Sequence, residues 1–275
     1  MKLLEFPVEV RPIFLETHGE RGTAVKEIEG HRAIVRSDTG AVLGLPSDQY
    51  KLVTHKQSLE PYLAKLGRSG WDVNNVRLER EGARAYIELF NREGAKAVRV
   101  GDPVGRRLLL WNSYDGSTSV AAQGGLFVLV CLNGATAPAG ILTGSRFGHT
   151  GDVLKNIDSS ADLIAFDFEK VVELYRGFAD TRVQPEIAKA VIQEVCGIRK
   201  LDVVTAYWTR TGHAGSTDPT AWTLYNAITK YLTHDFGGAI AAREAKNREA
   251  VDLLVNPEKV RLLIEQQAKD AALSN

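Results

Sequence analysis

The apolar positions along this chain recur with two different periods, and the change between them divides the sequence. From residue 31 to residue 133 most apolar segments are short and read as strands. His31 to Val35 and Ala41 to Leu45 flank Ser37-Asp38-Thr39-Gly40, whose turn chemistry predicts a β-hairpin. Further strands are predicted at 75–78, 84–91, 106–113 and 124–133. In the second of these, Ala85, Ile87 and Leu89 alternate with Tyr86, Glu88 and Phe90. Both faces carry bulk, as in a sheet covered on both sides or a subunit interface.

Helical spacing interrupts the strands once, at 55–66, where Leu59, Tyr62, Leu63 and Leu66 share one face although Pro61 lies among them. Ser47-Asp48 resembles a helix start, but Tyr50 to Val53 is equally readable as a strand. After His149 the helical period takes over. Helices are predicted near 152–157, 161–178, 186–196, 220–234, 239–255 and 257–273, and Val203 to Thr209 is open between strand and helix. Asn256-Pro257 supplies a cap followed by a first-turn proline.

Mostly β followed by mostly α predicts an α+β fold, an antiparallel sheet in the N-terminal half packed against helices mostly from the C-terminal half. The expected organisation is an extended N-terminal arm (1–24), an α+β core (25–237) and a C-terminal helical segment (238–275).

The 275 residues are enough to bury a core, and 44% apolar with 25% charged residues is ordinary for a globular protein. Lys plus Arg equals Asp plus Glu, 34 each, so there is no global basic excess of the kind that marks many nucleic-acid binders. Cys131 and Cys196 stand apart in apolar surroundings, which argues against a zinc site or a disulfide framework and suits a cytoplasmic protein. No segment approaches the ~20 apolar residues that span a bilayer.

Gly101 to Arg107 lacks phosphate-loop spacing and precedes a strand, and Gly124-Gly125 opens no helix. The six histidines include no HExxH and no i, i+4 pair. Neither a metal nor a cofactor is expected. Ser113, Asp115, Ser117 and His149 fall in one block without a nucleophile elbow, and Asp115-Gly116 reads as a β-turn. Residues 77–110 hold eight cationic and five acidic residues, a local net of +3, with aromatics in or beside them. Cations that track phosphates and rings that stack on bases are what single-strand binding needs.

Ser47-Asp48-Gln49-Tyr50, Tyr114-Asp115-Gly116-Ser117, Val130 to Gly134, His149-Thr150 and Trp222-xx-Tyr225-Asn226 with Tyr231 and His234 together resemble the phage/plasmid-like family of prokaryotic proteins that carries domain of unknown function nine-three-two. The resemblance covers about 31–235 and implies a mobile-element context. At the level of architecture it is similar, more remotely, to phage single-strand annealing proteins.

The function expected is therefore a non-catalytic single-stranded DNA-binding, strand-annealing protein that forms homo-oligomers and has no membrane partner. Arg84, Arg92, Arg99, Arg106 and Arg107 would hold phosphates, and Tyr86, Trp111 and Tyr114 would stack on bases. An enzyme with a site near Asp115, Asn133 and His149, and a host-directed protein-interaction module, are the alternatives.

Overall fold

A computed structural model describes residues 2–19, 22–66, 70–129, 133–135, 144–161, 168–210 and 219–273. Its fold is α+β. The first sheet is antiparallel, in the order β1 (Val8–Gly19), β2 (Gly22–Arg36), β3 (Val42–Gly44). The second has the order β4 (Trp71–Glu79), β5 (Arg84–Ala97), β6 (Pro103–Ser113), β7 (Val120–Val128), β8 (Asn133–Ala135), with β9 (Gly144–Phe147) also pairing with β7. The helices are α1 (His55–Leu66), α2 (Val153–Ala161), α3 (Phe168–Asp180), α4 (Pro185–Cys196), α5 (Leu201–Arg210), α6 (Ala221–His234), α7 (Ile240–Val255) and α8 (Pro257–Leu273).

Contacts divide the chain into two compact units: 1–89 with 108–123 and 144–165, and 90–107 with 124–143 and 166–275. In the first unit α1 lays Leu59 and Tyr62 against Ala85, Ile87 and Leu89 of β5, Leu108 and Leu110 of β6, Val120 and Ala122 of β7, and Val153 and Ile157 of α2. Each of these large side chains contributes roughly 1.5–3 kcal/mol by leaving water. In the second unit α6 is buried on nearly every side. Thr220 caps it through a reciprocal pair of bonds with Thr223. Tyr175 of α3 stacks on Tyr225 of α6 at 5.3 Å. Several buried polar groups here pair with one another: Tyr225 Oη donates to Asn247 Oδ1 at 2.6 Å, Asn247 Nδ2 to the Gly134 carbonyl at 3.1 Å, and Trp222 Nε1 to Asp102 Oδ2 at 3.0 Å.

The N-terminal arm expected over 1–24 is instead half of a hairpin, because β1 finds a full-length partner in β2. Val203 to Thr209 lies in helix α5, and residues 48–54 take no regular element. The C-terminal helices α7 and α8 pack on α4, and α7 also on α6, rather than standing as a separate segment. Residues 130–132 of the strand predicted at 124–133 lie outside the described residues.

Candidate functional site

The eight residues expected to form an open cationic, aromatic surface do not form one, and burial is the reason. Four belong to the first unit. Trp111 is 8% exposed and donates its indole N–H to Thr118 Oγ1 at 2.9 Å. Tyr114 is 1% exposed, stacks on His55 at 4.0 Å and accepts the His55 backbone N–H at 2.8 Å. Burial pushes its hydroxyl pKa up to about 12. Tyr86 is buried on the same sheet, and Arg84 is held by Asp115 at 2.8 Å.

The other four belong to the second unit. Arg107 is buried, and its guanidinium meets Glu244 through two bonds of 2.8 and 3.1 Å. Arg99 pairs with Asp102 at 2.6 Å. Arg106 lies over the Phe168 ring at 4.7 Å. Arg92 is exposed, over Phe90 at 5.0 Å. Most of these cations and rings are therefore structural, and β6, which carries three of the eight, is buried along nearly all its length.

The second constellation divides between the units, with Asp115 and His149 in the first and Asn133 in the second. Asp115 caps its own turn by accepting Ser117 N at 2.9 Å and the Ser117 hydroxyl, and its other oxygen faces Arg84. Burial raises its carboxyl pKa, but these bonds and the Arg84 charge outweigh that and leave it below the ordinary value. Asn133 belongs to the other unit. The turn reading of Ser113 to Thr118 is borne out: Ser113 Oγ donates to the Thr118 carbonyl at 2.6 Å and accepts Thr118 N at 3.2 Å.

His149 is the member that meets a cavity. A cleft of about 430 Å³ in the first unit is lined by Pro46, Ser47, Gln49 and Tyr50, by Gly116, Thr118 and Ser119, and by Gly148, His149 and Thr150. Each wall follows from local chemistry. The first is the irregular segment after β3, pinned by the Arg32 N–H on the Pro46 carbonyl at 3.1 Å and the Asp48 N–H on the Gly30 carbonyl at 3.0 Å. The second is the Asp115-Gly116 turn, where Gly116 takes φ +68°, a conformation that favours glycine. The third leaves β9 and is tied back by Lys51 N–H on the His149 carbonyl at 2.6 Å.

Gly44, at the end of β3, brings the first two walls together. A Cβ there would stand 2.6 Å from Asp115 Cα and press on the Tyr114 carbonyl, so no side chain fits. Tyr50 lies flat on His149 at 4.4 Å and 14° and donates its hydroxyl to the Ser113 carbonyl at 2.7 Å.

His149 is 6% exposed. Its Nδ1–H donates to the Lys51 carbonyl at 3.3 Å, which leaves Nε2 as an acceptor. Among the described residues Nε2 has no hydrogen-bond partner. Burial lowers its pKa, only partly offset by the Lys51 carbonyl, so the ring is neutral at pH 7. Behind it His55 is fully buried: its Nε2–H donates to the Gly82 carbonyl at 2.8 Å and its Nδ1 accepts Asn112 Nδ2 at 2.9 Å. Burial lowers the His55 pKa to about 4.

The family model for DUF932, a domain of unknown function, matches residues 42–255. The chain belongs to the DUF932 family. No curated protein and no solved structure matches it. The DUF932 match begins at β3 and ends with α7, so it takes in all three walls of the cleft and leaves out the β1–β2 hairpin and α8. Ser47, Gln49, Tyr50, Thr118, Ser119 and Thr150 were not picked out by residue chemistry. The available signal was the resemblance itself, whose points of match include Ser47 to Tyr50 and His149-Thr150. Among the described residues no helix is long and apolar enough to cross a membrane.

Proposed function

We propose that this DUF932 protein binds single-stranded nucleic acid without altering it chemically, with the His149 cleft holding one nucleotide unit. The observation that carries the reading is the buried, partnerless Nε2 of His149 in a polar cleft. A buried acceptor left unsatisfied costs roughly 1–3 kcal/mol, which a ligand N–H or O–H would recover. The volume lies at the low end of ligand pockets, a size for one base or sugar rather than a large cofactor. Serine, threonine and glutamine side chains on the walls offer both donors and acceptors. The exposed Lys51 and Arg146 adjoin the wall segments in sequence and supply attraction for phosphate. Held at one nucleotide, a strand keeps its neighbours free to pair, which suits annealing. A phage or plasmid origin, homo-oligomers and a cytoplasmic location complete the proposal and rest on the resemblance and the cysteine usage.

Fluorescence anisotropy with single- and double-stranded DNA at two salt concentrations tests this. Single strands should bind more tightly, and affinity should fall steeply with salt. His149→Ala should weaken binding about tenfold, the equivalent of about 1.4 kcal/mol. No binding at low salt, or binding indifferent to His149→Ala, refutes it.

One observation favours an enzyme as the second reading: a neutral imidazole oriented by an Nδ1–H···O=C bond, with Nε2 free, is poised as a general base. Conversion of added nucleotides or oligonucleotides, lost in His149→Ala, would select it.

A further inference from the structure

Which part of a nucleotide the cleft holds follows from its chemistry, given the reading above that it holds one. The Nδ1–H on the Lys51 carbonyl fixes His149 Nε2 as an acceptor, and among the described residues Nε2 is buried without a partner. An acceptor discriminates by what can donate to it. At neutral pH a phosphodiester has oxygen acceptors and no donor. The ring and ester oxygens of a deoxyribose inside a strand are acceptors too. Only a base N–H or a sugar hydroxyl can satisfy Nε2.

The aromatic side chains decide against the base. Proteins hold an unpaired base by stacking it on an open ring face. The rings bordering the cleft are Tyr50 and His149, and they are stacked on each other. Tyr50 also packs against the buried cluster of Ile34, Leu43, Ala83 and Tyr114, and its hydroxyl donates to the Ser113 carbonyl. Both rings are thus committed to one another and to the core, which leaves no platform for a base. Among the described residues that line the cleft no other is aromatic.

The rest of the lining suits a sugar. Ser47, Thr118, Ser119 and Thr150 bring hydroxyls and Gln49 an amide, groups that donate and accept as a sugar does. Among the described lining residues none carries a charge at neutral pH, since burial keeps the His149 ring neutral. A phosphate would find no cation in the lining to pair with. A neutral polyol can enter without bringing a charge out of water.

We infer that the cleft recognises the sugar of the nucleotide, with a sugar hydroxyl donating to His149 Nε2 and the base left outside. In a nucleic acid that hydroxyl has two sources. It is the 2′-hydroxyl at each residue of RNA, or the 3′-hydroxyl at the end of a strand. A deoxyribose inside a DNA strand has neither. Recognition through the sugar ignores base identity and leaves the pairing edge of the held nucleotide free.

Three strands of one length and one base, each labelled at the 5′ end, test this by anisotropy on the full chain. The first is oligo(dU) ending in a 3′-hydroxyl. The second is oligo(dU) ending in 2′,3′-dideoxyuridine. The third is oligo(U) ending in 3′-deoxyuridine. All present the same base N–H groups and the same phosphates, but the second has no sugar hydroxyl. It should bind about tenfold more weakly than the better of the other two. A stronger first strand assigns the donor to the strand end, and a stronger third assigns it to the 2′-hydroxyl. In His149→Ala the differences should vanish. The comparison on wild type varies the ligand and not the protein, so it stands even if that variant does not fold. Equal affinity of wild type for all three strands overturns the inference, and so do differences that persist in a folded His149→Ala. If the strands bind equally and His149→Ala weakens them all, the nucleotide reading survives with a base N–H as the donor. Failure of all three to bind removes that reading and the inference together.

Discussion

Replacing Arg107 by methionine should destabilise the protein severely and leave single-strand affinity per folded molecule unchanged. The guanidinium and the Glu244 carboxylate are 2% and 4% exposed and are joined by two bonds. Burial alone would raise the Glu244 pKa, but Arg107 and Arg243 hold it well below the ordinary carboxylate value. Without Arg107 the carboxylate stays buried with, among the described residues, Arg243 at 3.2 Å as its remaining cation. Breaking a buried pair from one side costs about 3–5 kcal/mol, whereas replacing both partners with apolar residues of similar size is often close to neutral. Urea denaturation of Arg107→Met, Glu244→Leu and the double variant measures this. Each single variant should lose about 3–5 kcal/mol, and the double variant should recover most of the loss. A single-variant cost under about 1 kcal/mol, or a double variant no more stable than the singles, would refute the reasoning. The same site gives an independent check from the backbone side. A Cβ on Gly134 would lie 2.9 Å from Arg107 Nε, so Gly134→Ala should displace the guanidinium and cost stability in its own right.

Acid should weaken the fold through His55. Its folded-state pKa is depressed to about 4 from 6.5, so the unfolded chain takes up the proton first. Stability is intact above pH 6.5 and falls by about 3 kcal/mol as pH drops from 6.5 to 4, with His149 adding in the same direction. Denaturation midpoints over that range should show it, and His55→Gln should flatten the slope. Trp111→Ala should lower thermal stability by the few kcal/mol typical of removing a buried ring, with no effect on DNA affinity; a selective loss of binding would restore Trp111 to the interface. Burial pushes the Cys196 thiol pKa up to about 12, so in a Cys131→Ser background a thiol-specific reagent at pH 8 should react with the native protein far more slowly than with the urea-unfolded chain.

Much of the architecture was legible because local chemistry and tertiary demand agreed. Helix α1 has the apolar spacing that its buried face requires, and Thr220 and Asn256 announce their helices with side chains that bond first-turn backbone N–H groups. The hairpin 8–36 was half seen, since the alternation in β1 is interrupted at the bulge between Pro12 and Phe14. The interface failed for a different reason. An arginine in a sequence carries its charge visibly but not its partner, and the Glu244 that claims Arg107 lies 137 residues further on. One signal was present in the sequence: bulk on both faces of residues 84–91 fits a sheet covered on both sides, where rings on neighbouring strands have no access to bases. His149 could be noticed but not placed, because the cleft depends on three segments meeting in space.

Gly44 sets the span of that cleft. Where backbone touches backbone with no side chain between, the gap between two loops is set by main-chain van der Waals contact and not by the resting position of a movable side chain. The chain at 46–50 and the chain at 116–119 both leave from that contact, so the opening acts as a gauge of fixed calibre that admits ligands by thickness. Any residue larger than glycine at that position would recalibrate it without altering a single group that lines it.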